Sequence, residues 1–323
     1  MLLAKFLNPA SLKSQSFFSV ASVKKNSPSA KITPSSRAIY LLLMVFLCGG
    51  VAHAAVPEFS KNIGIRANLG VMFDNNVTRA QYAEDQLSDL SYSANLSMPF
   101  NFSLTDHTRL VLTGFVGAEK FAQYTGLSRT SGGFQGELQY RSSGEFTAPT
   151  FAIFARTSVE QYQSTMRDGS RNSFGVSMQF PLTDRIQTYA AVAYSRRKAD
   201  SNVFNIGDAS ARLGFDYALS ASNSLYLSGE LHSGDIVTTR SAYAALYNVA
   251  NAYAADDAFP GLQRYSYRVE GTTVQTTLGY NLGISASQSL DFSWRLNRVA
   301  AAMKKYNGSY AANQFFIVYL VSF

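Results

Sequence analysis

The chain has 323 residues, and its 28 Lys and Arg against 21 Asp and Glu give a formal net charge of +7. Such a basic balance would favour a nucleic-acid partner, but six of the basic residues and no acidic residue lie in the first 54 positions. Residues 55–323 carry 22 basic and 21 acidic residues, so their charge gives no reason to expect nucleic acid as a partner. The single cysteine, Cys48, also lies in the first 54 positions, which excludes disulfide and thiol chemistry from the remainder.

The first 54 residues have the order of segments found in a secretory leader. Arg37 precedes the apolar run 41–47, and Ala52-His53-Ala54 follows it with small residues at the first and third positions. The pattern predicts a signal peptide cleaved after Ala54. Residues 1–36 are long for the basic region of a signal peptide and rich in Ser and Lys, which is also typical of organellar transit peptides. A misassigned start codon is the simplest explanation of this extra length.

Beyond the leader, apolar and polar residues alternate with a period of two. From Leu90 to Leu104 the even positions are apolar or aromatic and the odd positions are Ser, Asn or Pro. Such alternation over fifteen residues indicates a strand with one apolar and one polar face. The same pattern predicts twelve strands in all: 63–73, 90–104, 109–121, 134–141, 150–162, 173–180, 186–197, 209–219, 225–235, 267–282, 289–299 and 315–323.

The connections between these strands alternate between two kinds. Five short polar turns follow the even-numbered strands, and six longer segments follow the odd-numbered ones (74–88, 122–132, 163–172, 198–208, 236–266 and 300–312). Bacterial membrane barrels have an even number of strands, short periplasmic turns and long extracellular loops. The fold class predicted is therefore an all-β transmembrane antiparallel up-and-down barrel of about twelve strands over 55–323, with no plug domain.

The last strand strengthens this prediction. Its alternate positions Phe315, Ile317, Tyr319, Val321 and Phe323 are all apolar or aromatic, and the chain ends on the last of them. This ending resembles that of Gram-negative outer-membrane β-barrels. The resemblance implies that Tyr319, Val321 and Phe323 form a signal for the assembly machinery, that the protein resides in the outer membrane, and that lipid covers its apolar face. A soluble β-sandwich is the alternative, but the leader, the terminal Phe and the twelve strands together favour the barrel.

The polar faces of the strands would then line the interior. They collect charges of both signs together with one histidine, and charged side chains on the lipid face would be costly. These charges either pair into a network that stiffens the interior or line a watery pore, which is slightly favoured. The residues concerned are Arg66, Arg109, Glu119, Glu137, Arg141, Arg156, Glu160, Arg212, Asp216, Glu230, His232, Asp291 and Arg295.

The segment 236–266 is the longest connection, and it is rich in Ala and Tyr rather than Gly and Ser. Two structures are compatible with it. It could fold inward as a constriction, with Asp256, Asp257 and Arg264 near the pore mouth, or it could pack on the neighbouring loops.

A catalytic role is not expected. After the leader the chain has two histidines: His107 in a predicted turn and His232 on a predicted inner face, away from lipid. Neither fits the His-x-Ser-Asn type of pattern of barrel lipid hydrolases, and no cluster of metal ligands or cofactor motif is evident.

The function predicted is a narrow porin-like channel for small polar or charged solutes such as sugar acids or oligosaccharides. The alternatives are a closed interaction barrel that presents the loops 74–88 and 236–266, or a barrel component of a polysaccharide or protein export system. The sequence leaves the oligomeric state open.

Overall fold

The computed structural model describes residues 64–301 and 308–323. The predicted leader and its cleavage site after Ala54 lie outside these residues, as do residues 302–307 of the last long connection. No helix within the two ranges is long and apolar enough to cross a membrane.

The regular elements of the described residues are thirteen strands, one short α-helix and four single-turn 3₁₀ helices (Ala83–Asp85, Thr125–Leu127, Thr165–Arg167 and Asn202–Phe204). All neighbouring strands are antiparallel. The elements are β1 Arg66–Asp74, β2 Asp89–Ser103, β3 Thr108–Phe121, β4 Arg129–Arg141, β5 Thr150–Tyr162, β6 Gly169–Pro181, β7 Ile186–Ala199, β8 Ile206–Ala218, β9 Asn223–Arg240, α1 Ala244–Tyr247, β10 Ala252–Ala255, β11 Tyr265–Gly283, β12 Gln288–Ala301 and β13 Ser309–Ser322.

Twelve of these strands form a closed ring, which confirms the predicted barrel. Strands β1 to β9 pair in chain order, β9 pairs with β11, and β12 and β13 follow. Strand β13 then pairs with β1 over the whole length of β1, from Arg66 opposite Ser322 to Asp74 opposite Gln314. Each strand of the ring is therefore bonded on both sides. The thirteenth strand, β10, is a four-residue addition to the end of β11.

The two faces of the ring differ as the alternation predicted. Large apolar side chains stand on the outer face, while the inner face carries most of the charged and amide side chains of the strands. Successive side chains of a strand point to opposite faces. The exposed residues therefore show whether the odd-numbered or the even-numbered positions of a strand face outward, which is called the parity of that face. Examples from six strands of the outer face are Leu69, Val116, Phe134, Ile153, Val176 and Val192.

The short connections lie at one end of the barrel, here called the turn end, and the long ones at the other, the loop end. Four of the five turns share one pattern, in which Leu or Ile is followed by Thr or Ser. The hydroxyl oxygen of that Thr or Ser accepts hydrogen bonds from backbone N–H groups further along the turn, as at Thr105, Thr183, Ser220 and Ser285. Strand β1 begins at the turn end and β13 ends there, so the first and last residues of the barrel strands lie at the same end.

Several strands are longer than predicted, because polar or Gly-rich residues at the loop end still belong to the ladder. Strand β4 begins at Arg129 rather than at 134 and includes Gly132 and Gly133. A Cβ on Gly133 would lie 2.1 Å from the Thr157 oxygen, so glycine permits a close backbone approach there. Strands β9 and β11 extend to Arg240 and Tyr265, which shortens the longest connection to residues 241–264.

The membrane assignment of the outer face predicts an asymmetric effect of charge on β3. Val116, 56% exposed, lies on the outer face near the middle of the strand, whereas Thr113 lies on the inner face. We expect Val116→Arg to reduce the free energy of unfolding by about 2–4 kcal/mol and Thr113→Arg to reduce it much less. Denaturant titration in lipid vesicles, followed by the fluorescence of Trp294, measures both. Equal losses would show that position 116 does not face hydrocarbon.

Candidate functional site in the barrel interior and mouth

The candidate site is the inner face of the ring together with the loops above it. All of the charged residues and the histidine predicted to line the lumen lie on this face, because each has the parity opposite to that of the exposed apolar residues of its strand. They fall into three levels along the strands: the turn end, the middle and the loop end.

At the turn end the charges are held by polar neighbours. The Arg109 guanidinium donates to Gln139 Oε1 at 2.6 Å, and the Gln139 amide donates to Glu137 Oε1 at 2.6 Å. Arg141 donates to the backbone oxygen of Glu145 at 2.8 Å. Three further residues of this level are Arg66, Asp216 and Asp291, of which Asp291 accepts a hydrogen bond of 2.9 Å from the Tyr226 hydroxyl.

In the middle of the barrel, three arginines lie against aromatic rings. The guanidinium carbon of Arg156 is 3.8 Å from the centre of the Phe115 ring. Arg212 lies over Tyr189 at 5.6 Å, and Arg295 lies over Phe316 at 4.7 Å. Tyr189 and Phe316 belong to the strand next to that of their arginine, whereas Phe115 on β3 reaches Arg156 on β5 across β4. The inner face of the barrel wall therefore sets the position of each cation.

His232 lies between two carboxylates on the inner face. Its Nδ1 is 2.9 Å from Asp208 Oδ2 and its Nε2 is 3.2 Å from Glu230 Oε1. Both ring nitrogens are thus engaged by acids. The arrangement places this histidine in a charged network of the inner face, and Ser210 of β8 lies directly opposite it in the ladder.

At the loop end Glu160 organises several arginines. Arg171 and Arg197 face each other directly across β6 and β7, a pairing of like charges that would be unfavourable alone. The Glu160 carboxylate lies between them, 2.9 Å from Arg197 Nε and 3.6 Å from Arg171 Nε, with its side chain 1% exposed. Its neighbour Tyr162 receives a hydrogen bond of 3.3 Å from Arg129.

The same network continues to Glu119, which lies 2.8 Å from Arg129. The sequence analysis identified Glu119 and Glu160 but missed Arg129, Arg171 and Arg197. Two of these arginines fell in segments interpreted as loops, although Arg197 has the inner-face parity of a strand that was predicted. These arginines could have been identified by continuing the alternation of inner and outer positions beyond the apolar part of each strand.

The first long connection, residues 75–88, crosses toward the far side of the loop end. Arg79 adopts a left-handed backbone conformation with φ 56° and pairs with Asp74 at 2.5 Å. The Thr78 oxygen accepts a hydrogen bond of 2.8 Å from the Thr239 N–H, and the Arg79 oxygen accepts one of 2.7 Å from the Thr238 hydroxyl. Since Thr238 and Thr239 belong to β9, this loop joins strands that are four places apart in the ring.

Asp85 fixes the middle of this loop. Its buried carboxylate accepts hydrogen bonds from the Ser241 N–H at 3.0 Å and hydroxyl at 2.8 Å. It also pairs with Arg264 and, at 3.2 Å, with Arg240. Burial alone would raise the pKa of Asp85, but the Ser241 hydrogen bonds and the two arginines outweigh it and lower the pKa below its ordinary value. The carboxylate is therefore ionised in the docked loop.

The longest connection, residues 241–264, crosses the mouth in the opposite direction. Asp256 pairs with Arg167 at 2.7 Å, with both side chains fully buried, and Asp257 accepts a hydrogen bond from Ser164. Ala258 and Phe259 follow. Phe259 packs on residues at the ends of β3 and β4, which lie six places from this loop in a ring of twelve strands: Phe121, Tyr124 and Leu127.

This crossing is tight at one point. A Cβ on Gly126 would lie 2.3 Å from the Cα of Ala258. Only glycine therefore allows the connection between β3 and β4 to contact the loop 241–264 at this point. The residues predicted for a constriction thus lie over the mouth and also contact neighbouring loops: Asp256 and Asp257 contact the loop between β5 and β6, and Arg264 contacts the loop between β1 and β2.

Among the residues described, no group of three or more His, Cys, Asp or Glu side chains is placed to hold a metal ion.

Comparison with known proteins identifies the fold class. No protein-family model matches the chain, and no curated protein matches its sequence. Among solved structures, an outer-membrane channel from Pseudomonas putida F1 is similar over 85% of this chain and 100% of its own, with a TM-score of 0.54 and 12% sequence identity. The fold is therefore that of the outer-membrane β-barrels.

Two porins are similar to a lesser degree. The NanC porin is similar over 80% of this chain and 98% of its own, with a TM-score of 0.40 and 8% identity. The KdgM porin in complex with oligogalacturonate is similar over 80% of this chain and 99% of its own, with a TM-score of 0.39 and 10% identity.

The Glu160 network predicts a large effect of one neutral substitution. Glu160→Gln leaves Arg171 and Arg197 opposite each other without their carboxylate, so we expect the free energy of unfolding to fall by about 3–5 kcal/mol. Glu119→Gln, at a more exposed ion pair, is the matched control and should cost less. Adding Arg171→Gln to Glu160→Gln should recover part of the loss. Denaturant titration in vesicles is the measurement, and a Glu160→Gln variant as stable as the wild type would contradict the role of Glu160.

The lowered pKa of Asp85 predicts that acid releases the loop 75–88. A group with a lowered pKa in the folded state stabilises that state above its unfolded pKa of about 3.9 and loses this effect as the pH falls through the lowered value. A spin label on Ala83→Cys, in a Cys48→Ser background, should be immobile at neutral pH and become mobile only in strong acid. Asp85→Asn should leave the label mobile at neutral pH as well. A label equally immobile in both proteins would show that Asp85 does not hold the loop.

Proposed function

We propose that this protein is a narrow outer-membrane channel that passes small polar or charged solutes. The observation that carries the proposal is the closed ring of twelve strands with an apolar outer face and a charged inner face. Eight strands enclose just enough space for side chains, whereas sixteen leave an aqueous channel. Twelve strands enclose an intermediate space, which a lining of charged groups would keep hydrated.

The bridged mouth supports a narrow path. The loops 75–88 and 241–264 both cross the loop end, which in barrels of this kind faces the cell exterior. A solute that enters from outside must pass these loops, which contact each other through Asp85, Ser241 and Arg264. The predicted leader agrees with this location, because a signal peptide directs the chain across the inner membrane. The similarity in fold to the outer-membrane channel of Pseudomonas putida F1 also supports the proposal.

The inner-face residues act in this proposal as the lining of the path. Those at the turn end and the loop end are held by neighbouring amides, carboxylates and backbone oxygens, so they form fixed walls rather than mobile charges. His232 shares this role, because both of its ring nitrogens contact acids. The proposal needs no catalytic group and no cofactor.

Conductance in planar lipid bilayers tests the proposal. We expect the wild type to form small, discrete channels, because the two loops restrict the mouth. Replacing residues 242–263 by a short Gly-Ser turn should increase the single-channel conductance, since it removes the segment that reaches Phe121 and Leu127. Ser241 and Arg264 are retained, so Asp85 keeps partners and the loop 75–88 stays docked.

A second candidate function is a closed barrel that presents its loops to a partner. The pairing of the loop-end charges and the two crossing loops favour it. The bilayer experiment separates the two candidates. If neither the wild type nor the loop replacement conducts, although both insert and show the same strand content by circular dichroism, the channel proposal is wrong and the interaction barrel is retained.

A further inference from the structure

Within the described strands, the outer face of the barrel carries basic side chains only toward the loop end. Each of them lies in the half of its strand nearer the loops: Lys120 of β3, Arg196 and Lys198 of β7, Arg268 of β11 and Arg298 of β12. A charge in the middle of the hydrocarbon would be costly, whereas a long basic side chain at its edge reaches the headgroup layer. The loop end faces the cell exterior in barrels of this kind, so these basic side chains lie at the outer leaflet.

Arg196 and Lys198, here called the basic pair, end an ordered series of rows across β5, β6 and β7. The residues that pair directly across these three strands form the rows, and successive outer rows are two residues, or about 6–7 Å, apart. From the middle of the barrel to the loop end, the rows are Ile153, Val176 and Val192; Ala155, Phe174 and Tyr194; Thr157, Asn172 and Arg196; and Val159, Ser170 and Lys198. The outer wall therefore changes from aliphatic to aromatic and then to polar and basic.

The aromatic row marks the edge of the hydrocarbon. Phe174 is 63% exposed and Tyr194 is 41% exposed, and the centres of their rings are 5.8 Å apart. Membrane barrels carry such aromatic residues at both interfaces with water. A Cβ on Gly207 would lie 3.1 Å from the Tyr194 hydroxyl, and Gly207 pairs with Arg196, so this hydroxyl points toward the loop end. Arg196 and Lys198, two and four residues beyond Tyr194, therefore lie at the level of the lipid headgroups.

The basic pair has no acidic partner among the described residues. Both side chains are exposed, and neither forms an ion pair or a hydrogen bond with another residue of the ranges 64–301 and 308–323. The acids around the pair are Asp168 and Asp200 in the connections above it and Asp235 two strands away on β9. Asp168 accepts a hydrogen bond from a backbone N–H of β5, and Asp235 accepts one from β8 and lies 3.9 Å from Arg268. The two positive charges are therefore available to a ligand that approaches from the membrane.

We propose that the basic pair and Asn172 bind the phosphate group of a lipid in the outer leaflet of the outer membrane. A phosphate monoester carries a charge of about −1.5 to −2 near neutral pH, which matches the two cations. The Arg196 guanidinium offers paired N–H donors to phosphate oxygens, and Asn172, directly opposite it in the ladder, adds an amide donor. The acyl chains of the same lipid then lie over the aromatic and aliphatic rows. The site is independent of conduction, because it lies on the opposite face of the barrel wall from the interior.

Quenching of a tryptophan by brominated lipids tests this site. Phe174→Trp in a Trp294→Phe background places the single tryptophan of the chain in the row directly below Arg196. The protein is reconstituted into phosphatidylcholine vesicles that contain phosphatidic acid with brominated acyl chains. Vesicles with brominated phosphatidylcholine at the same mole fraction are the reference. We expect phosphatidic acid to quench the reporter tryptophan more strongly, because its phosphate monoester is held beside that position.

Variants of the reporter protein assign the preference to the basic pair. Arg196→Gln and Lys198→Gln should each lower the relative binding constant of phosphatidic acid by up to about fivefold, which corresponds to about 1 kcal/mol for a basic residue near a membrane surface. The double variant should bind the two lipids about equally. Lys120→Gln is the matched control, because it removes one exposed positive charge from the outer face three strands away from the reporter. That separation of about 14 Å exceeds the Debye length of about 8–10 Å, so the control should keep the preference.

Several outcomes would overturn the proposal. These are equal quenching by the two brominated lipids, a preference that survives the double Gln variant, and a loss of preference as large in Lys120→Gln as in Arg196→Gln. Excess inorganic phosphate at constant ionic strength should leave the preference intact, and displacement of phosphatidic acid by it would indicate a site for free phosphate rather than for a lipid. If the double variant fails to assemble, the two single variants decide the question, because each is expected to weaken the preference by itself.

Discussion

The structure depends on one constraint: each strand must separate hydrocarbon from charge across a single layer of backbone. In a bilayer every N–H and C=O must be bonded within the protein, and a closed ring of strands achieves this without an open edge. Once the ring is closed, the alternation with a period of two in the sequence determines which residues face the outside and which face the interior. The exposed Phe134 and Ile153 outside and the buried Glu160 inside follow from the same alternation.

This explains how much of the molecule could be predicted from the sequence. The twelve strands, their antiparallel order and the inner-face position of residues such as Arg156 and His232 all follow from local parity, which needs no knowledge of distant contacts. The ends of the strands were predicted less well. At the loop end, residues such as Arg129 and Gly133 lie beyond the apolar part of the strand, where polarity no longer distinguishes a ladder from a loop.

The partners of the charges could not be predicted for a different reason. Whether Glu160 meets Arg197, or Asp256 meets Arg167, depends on the ladder register and on where a loop crosses the mouth. Composition made the segment 241–264 unusual, but its contact with Phe121 and Leu127 on the far wall arises only from the closed ring. The alternation in the sequence thus predicts which residues line the interior, whereas the tertiary structure determines which of these charges pair with one another.

The pairing of β13 with β1 has a consequence for how the protein is made. These are the first and last strands of the described barrel, so the seam that completes the cylinder joins the parts of the chain that are most distant in sequence. Contacts of such long range form late, because a large loop must be closed before they contribute. No cylinder can exist while the ribosome is still adding residues such as Phe315 and Ile317. Until then the polypeptide keeps two unpaired strand edges and an uncovered apolar surface, and both features favour aggregation.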